Sequence, residues 1–306
     1  MVYDCIIVGG GIAGLQAAIQ LGRYDCHKVL VIDAGSGRSA VCRNYRNVLG
    51  FPDGISGPDL RERGRRQAES LGIIFQQDKI MTAERTSEDG NFKLTGKDGI
   101  EYYARIMLLA TGVTDRIPEL PGLQALLGST VYICPDCDGH EIQGKRTVLM
   151  GAGDTGAEMA MILIDRTKDL IYVNHESASM SAENREKLKS SGVRYESGAI
   201  AEVRGDDQTG TIEGIVMADG RIFEAERGFV AFGGNRVHSD LARQLGVRLS
   251  HNKHIETDPR SKESNVKGLF AAGDIGIHAE QVTVAMGEGS LAAIWIHKAL
   301  GPCYNQ

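Results

Sequence analysis

The sequence predicts an α/β fold built on two Rossmann-like units, and three observations carry that prediction. A strand pattern, a glycine-rich turn and a helix pattern succeed one another at the start of the chain. The same succession returns about 140 residues later. With 306 residues the chain is long enough for two domains that each bury a core, and its 42% hydrophobic and 24% charged residues are globular proportions.

The first unit opens with "DCIIVGGGIAGLQAAIQL". Cys5 to Val8 form an apolar run of strand type, Gly9-x-Gly11-x-x-Gly14 follows, and an Ala/Leu/Ile pattern of helical period comes after. Gly9 permits the tight turn, Gly11 lets the backbone approach a pyrophosphate, and Gly14 lets the helix pack on the strand, while the helix N-terminus offers unpaired N–H groups to the anion. "KVLVIDAG" reads as the next strand, and Asp33 at its end stands 19 residues after Gly14, where a carboxylate can accept from a ribose hydroxyl. "RIMLLATGVTDRIPELPG" is a buried strand with a Pro-punctuated exit, so the first domain should end near residue 115.

The second unit is "GKRTVLMGAGDTGAEMAMILIDRTKDLIYVNHES", which carries Gly151, Gly153 and Gly156 between a strand and a helix, then the strand "LIYV". Two such units suit one nucleotide each, as when hydride passes from a nicotinamide to a flavin. "KGLFAAGDIGIHAEQVTVAMGEGSLAAIWIHKAL" closes the chain with a strand, Asp274 and an Ala/Gly-rich helix.

A net charge of −6 argues against nucleic acid or an anionic membrane as partner. No run of about 18 apolar residues suggests a membrane span, and "MVYDCIIVGGG" lacks signal-peptide features, which makes the cytoplasm the expected compartment. There, six cysteines are expected as thiols, ligands or redox groups rather than structural disulfides.

The order GxGxxG, "FPDGISGPDL", "LLATG", CxxCDG, a second GxGxxG and "GLFAAGDI" resembles the low-molecular-weight thioredoxin reductases of the flavin disulfide reductase superfamily, over essentially the whole chain. The resemblance implies an enzyme with FAD held by Gly9, Gly11, Gly14 and Asp33, with Asn47 by the flavin ring, Thr111 and Gly112 near the cofactor, Asp274 on the ribityl chain and Gln281 opening the last helix. It also implies two three-layer domains, the second inserted into the first: residues 1–115 and 245–306 for FAD, and 116–244 for the second nucleotide. A homodimer and a thioredoxin-like protein substrate are implied as well.

"VYICPDCDGH" holds Cys134 and Cys137. Structural zinc would need two further ligands, and Cys5, Cys26, Cys42 and Cys303 are scattered singly, which leaves no metal site and favours a redox disulfide. A first turn of helix at the pair would bring the sulfurs together, and its N–H groups would lower a thiolate's pKa. By resemblance Cys137 faces the flavin, Cys134 attacks the partner's disulfide, and Asp138 serves as general acid and base. For Asp138 the competing reading is a helix cap; for His140, a solvated surface side chain.

The electron donor departs from the family. Where NADPH-dependent members place His-Arg-Arg and a later Arg, this chain has Asn174-His175-Glu176 and Met180, and no Lys or Arg occurs from Asp169 to Asn184. NADPH is disfavoured. Glu176, 20 residues after Gly156, could accept from the 2′-hydroxyl of NADH. Otherwise the second site is vestigial, and reduced ferredoxin or a dithiol loads the flavin. Remaining readings are a flavin dithiol oxidase that uses oxygen and a flavin-bound redox sensor or scaffold. Glu280-Gln281-Val282 replaces the family's Arg-Gln-Ala, Tyr304 in the tail could cover a flavin face, and seven arginines between Arg38 and Arg66 could dock an acidic partner.

Overall fold

The structure, a computed structural model, describes residues 1–86, 90–277 and 279–301. They form two compact units: Met1–Val41, Ile55–Thr114 and the chain from Arg236 onward make the first, and Cys42–Gly54 with Asp115–Asn235 make the second.

In the first unit, a seven-stranded sheet runs in the order Ile74–Gln77, Val29–Asp33, Val2–Val8, Glu101–Leu109, Phe92–Gly96, Ile80–Arg85, and Leu269–Ala271 also pairs with Glu101–Leu109. Val2–Val8 is parallel to both neighbours, with Cys5 opposite Val29 and Ile106. Its run of apolar residues has a physical cause, since a central parallel strand is covered on both faces. Cys5 and Ile7 pack toward Ala13, Ala17, Ala292 and Ala293, whereas Ile6 and Val8 join Phe92 and Leu94 on the other side. Small residues let helices Ile12–Gly22 and Val282–Leu300 meet backbone to backbone: a Cβ on Gly289 would lie 2.3 Å from the Ala13 carbonyl oxygen.

The second unit has a five-stranded, all-parallel sheet in the order Arg194–Ser197, Leu170–Asn174, Thr147–Gly151, Arg227–Ala231, Val131–Tyr132. Helix Gly153–Leu163 packs Ala157, Ala160 and Leu163 onto one face, against Leu149, Tyr172 and Phe229. A three-stranded antiparallel sheet, Ile200–Asp206, Thr211–Met217 and Ile222–Glu224, buries Val203, Ile215 and Phe223 against Val148, Met150 and Val230 on the other. The α/β fold of two Rossmann-like units that the sequence predicts is the fold observed.

The crossings between units differ in detail from residues 115 and 244. The first falls after Thr114 and the return after Asn235. Arg236–Val237 pairs antiparallel with Val113–Thr114, and Val237, Leu241 and Ala242 pack into the first core, so helix Asp240–Gln244 belongs there. Cys42–Gly54 groups with the second unit, where Arg46 pairs with Glu141 at 3.6 Å. No helix among the described residues is long and apolar enough to cross a membrane.

Candidate active site

The first glycine loop has the geometry a bound diphosphate needs. Gly9 has φ of +110°, and a Cβ there would lie 2.3 Å from the Ala110 carbonyl oxygen. On Gly14 a Cβ would meet the Gly9 oxygen at 1.9 Å, so the helix sits directly on the turn. Gly11 is different. It caps helix Ile12–Gly22, and a Cβ there would find only Ser39 Oγ at 3.9 Å, which leaves the approach open. Asp33 Oδ1 accepts from the Gly10 N–H at 3.2 Å, and Arg61 donates to its Oδ2 at 2.7 Å. Beside them lies a cavity of about 310 Å³ lined by Gly10, Asp33, Pro58, Arg61, Arg65 and Gln77. An open glycine at a helix N-terminus and a cavity ending on a carboxylate fit the adenosine diphosphate of a dinucleotide.

Further residues of the expected site have partners that the sequence does not reveal. Asp274 accepts from Arg38 at 2.9 Å, and the same guanidinium donates to Glu280. The anion that replaces the family's cation at 280 is thus offset by an arginine from another segment. His254 is buried, its Nε2 lies 3.2 Å from Glu280 Oε1, and its Nδ1 has no partner. Thr111 Oγ1 donates to the His238 carbonyl at 2.8 Å, and Gly112 has φ of +64° with open space where a Cβ would be. Gln281 is the N-cap of helix Val282–Leu300, and its Oε1 accepts from Thr283. The Arg38–Arg66 cluster is not a uniform basic face: Arg38, Arg46, Arg61, Arg65 and Arg66 are each paired with a carboxylate.

Cys134 and Cys137 stand at the start of a short helix, Pro135–Asp138. The cap is the cysteine itself: the Cys137 N–H donates to Cys134 Sγ at 3.2 Å. Both are free thiols here. Hydrogen bonding from the Cys137 thiol, with backbone N–H groups in support, holds the Cys134 pKa below the ordinary thiol value, and the same contact with burial raises that of Cys137. Of the two sulfurs, Cys134 is the one whose ionisation is eased. Asn47 lies against Cys137, and its buried side-chain amide favours the ionised form of that sulfur. Burial pushes Asp138 up to about 6, with Glu141 adding to the rise and Arg46 opposing it. Asp138 makes no side-chain cap bond, so the helix-cap reading falls away. His140 is exposed, at the edge of a cavity of about 360 Å³ shared with Pro135, Asp136, Cys137 and Arg166.

The second loop repeats the first but is closed at its middle glycine, where a Cβ on Gly153 would lie 2.8 Å from the Ser179 carbonyl oxygen. A Cβ on Gly151 would lie 2.5 Å from the Ala231 oxygen, one on Gly156 would enter the Tyr172 ring at 2.4 Å, and Gly153 has φ of +50°. Asn174 is buried and fully employed: Oδ1 accepts from the Gly153 and Ala178 N–H groups at 3.2 Å, and Nδ2 donates to the Ala178 carbonyl and the Tyr195 hydroxyl. His175 Nδ1 accepts from the Ile200 N–H, and Met180 packs against the core. Glu176 pairs with Arg116, a cation 60 residues away that no reading of residues 169–184 could find. Tyr304 and Cys303 lie outside the described residues.

Two dinucleotide-type loops, each between parallel strands of a separate sheet, with a thiol pair beside an acid pushed up to about 6, define a two-nucleotide redox class of protein. The chain belongs to the pyridine nucleotide-disulphide oxidoreductases, whose family model matches residues 3–289, and within them to the thioredoxin reductase type. It is similar to the thioredoxin reductase of Peptoclostridium acidaminophilum, at 29% identity over 97% of this chain and 96% of that one. Among solved structures it resembles an oxidoreductase from Agrobacterium tumefaciens, 31% identical over 98% of this chain and 99% of that one, with a TM-score of 0.80. The atypical thioredoxin reductase TRi from Desulfovibrio vulgaris Hildenborough is 31% identical over 97% and 98% of the two chains, with a TM-score of 0.54.

Proposed function

We propose that this enzyme is an FAD-dependent disulfide oxidoreductase that passes electrons to the disulfide of a thioredoxin-like protein through Cys134 and Cys137, and that its donor is not NADPH. The observation that carries the reading is the division of labour at the pair: a thiolate-favouring Cys134 sits beside an acid pushed up to about 6. The Cys134 thiolate attacks one sulfur of the partner's disulfide, a mixed disulfide forms, and Asp138 protonates the departing thiolate. Cys137 then gives up its proton and attacks the Cys134 sulfur; the Cys134–Cys137 disulfide closes and the second partner thiol leaves. The partner has gained two electrons and the pair has lost two. FAD, when bound, supplies the two-electron carrier that reloads the pair. Gly9, Gly11, Gly14 and Asp33 would hold its adenosine end, and the family resemblance assigns Thr111, Gly112, Asp274 and Gln281 to the rest.

NADH, reduced ferredoxin or a dithiol is the donor in this reading, because the place of a 2′-phosphate carries Glu176 and no arginine pair. A homodimeric, cytoplasmic enzyme completes it, as the resemblance implies. An anaerobic stopped-flow screen of NADPH, NADH, reduced ferredoxin and dithiols for flavin bleaching tests the donor. Stoichiometric bleaching by NADPH within milliseconds refutes it. A second reading, oxidation of a small dithiol with electrons leaving to oxygen, draws on the cavity of about 360 Å³ beside Cys137. Dithiol-driven oxygen uptake that outpaces thioredoxin reduction would favour it.

A further inference from the structure

We infer that Arg116 and Glu176 are the coenzyme-selecting pair of the second unit: Glu176 occupies a guanidinium that could otherwise take a 2′-phosphate, so the site accepts a dinucleotide with a free 2′-hydroxyl. The inference rests on the reading above that this unit still serves a nicotinamide donor.

The position is that of a ribose-reading residue. Glu176 stands two residues beyond strand Leu170–Asn174, whose end lies beside the Gly151–Gly156 turn: His175 donates its N–H to the Gly151 carbonyl at 2.9 Å. The segment is fixed from both sides. Asn174 ties it to Gly153 and Ala178, and His175 ties it to Ile200. Glu176 cannot swing away with its backbone.

Arg116 is anchored independently of Glu176. Its Nη1 donates to the Phe232 carbonyl at 3.1 Å, its N–H donates to Asn235 Oδ1 at 3.1 Å, and its guanidinium carbon stands 5.9 Å from the Phe232 ring centroid. Neutralising Glu176 should therefore leave the guanidinium in place. Both side chains reach solvent, at 44% and 34% exposure, so a ligand can meet them.

The selection follows from charge count rather than from the strength of the pair. A half-exposed ion pair contributes little to stability, so an incoming anion could separate it. A 2′-phosphate would then gain one guanidinium and face one carboxylate, with no other Lys or Arg between Asp169 and Asn184. A neutral 2′-hydroxyl meets no repulsion and can donate to Glu176. With Gln at 176 the shape is kept and the site becomes net positive.

Calorimetric titration of the purified full-length flavoprotein with 2′,5′-ADP and with 5′-AMP tests this by binding alone. The parent should bind 5′-AMP at least as tightly as 2′,5′-ADP. Glu176→Gln should raise affinity for 2′,5′-ADP about 10-fold or more, the scale of one charge-assisted contact, and leave 5′-AMP within about 3-fold. Adding Arg116→Met should cancel the gain. An unchanged ratio in Glu176→Gln, or a gain that survives loss of Arg116, overturns the assignment. Absence of binding by either ligand in every variant also overturns it, whereas the disulfide chemistry is judged separately by thiol reactivity of Cys134 and Cys137.

Discussion

Replacing Asp138 by Asn should make the protein more stable and less active, with both effects set by pH. Asp138 is pushed from the ordinary 3.8 to about 6, chiefly by burial. That is a shift of about 2 units at about 1.36 kcal/mol each, so ionising this carboxyl in the folded protein costs up to about 3 kcal/mol. The unfolded chain loses this proton near 3.8 and the folded chain keeps it to about 6. Between those values the folded state binds more protons, so stability falls as pH rises, and above about 6 the whole cost is present. Asn carries no charge at any pH. The variant's advantage in urea denaturation should thus grow across that window and level off at no more than about 3 kcal/mol. Chemistry should move the other way. A single turnover of the reduced pair with an aliphatic hydroxyethyl disulfide, whose thiol leaves poorly, needs the acid; an aromatic nitrobenzoate disulfide does not. Asp138→Asn should lose about 100-fold with the first and stay within a few-fold with the second. The parent's rate ratio of first to second should fall as pH rises past about 6. Equal losses with both disulfides, or a variant no more stable at neutral pH than the parent, would refute the acid role.

Other outcomes follow from the same geometry. Gly11→Val should fold with the melting temperature of the flavin-stripped parent yet purify without flavin, because only Ser39 lies near the new side chain; Gly14→Val, which drives a Cβ into the Gly9 carbonyl, should fail to fold. Full flavin occupancy in Gly11→Val removes the cofactor assignment. Cys134→Ser should show long-wavelength charge-transfer absorption from the remaining Cys137 thiolate and Cys137→Ser should not; equal bands in both would contradict the assigned roles. Lys262→Met should cost about 3 kcal/mol in thermal denaturation, since it removes the ammonium paired with Glu288, a buried carboxylate that also accepts from the Gly273 N–H at 3.0 Å. A loss below about 1 kcal/mol would show that the Lys262–Glu288 pair does not brace the Asp274 turn.

What was legible in the sequence is what local rules dictate. Strand, glycine turn and helix at Gly9–Gly14 and Gly151–Gly156 are set by short-range sterics, and each carries its own periodic signal. Cys134 to Asp138 were legible for the same reason, as one turn of chain. The partners that complete these motifs were not. Arg38 meets Asp274 from 236 residues away, Arg61 meets Asp33 from 28, and Arg116 meets Glu176 from 60. Such pairs depend on the tertiary course of the chain, and an arginine gives no periodic sign of which carboxylate it will find. The return crossing at Asn235 was missed for a related reason: Arg236–Val237 is a two-residue strand, too short to show alternation, placed by its antiparallel partner Val113–Thr114.

The central claim, that electrons reach a protein disulfide through Cys134 and Cys137, is tested most directly by anaerobic photoreduction of the purified flavoprotein followed by oxidised thioredoxin. Prompt reoxidation of the flavin in the parent, with stoichiometric appearance of thioredoxin thiols and loss of both in Cys134→Ser, is the predicted result. Reoxidation at the same rate in Cys134→Ser, or none in the parent, would contradict it.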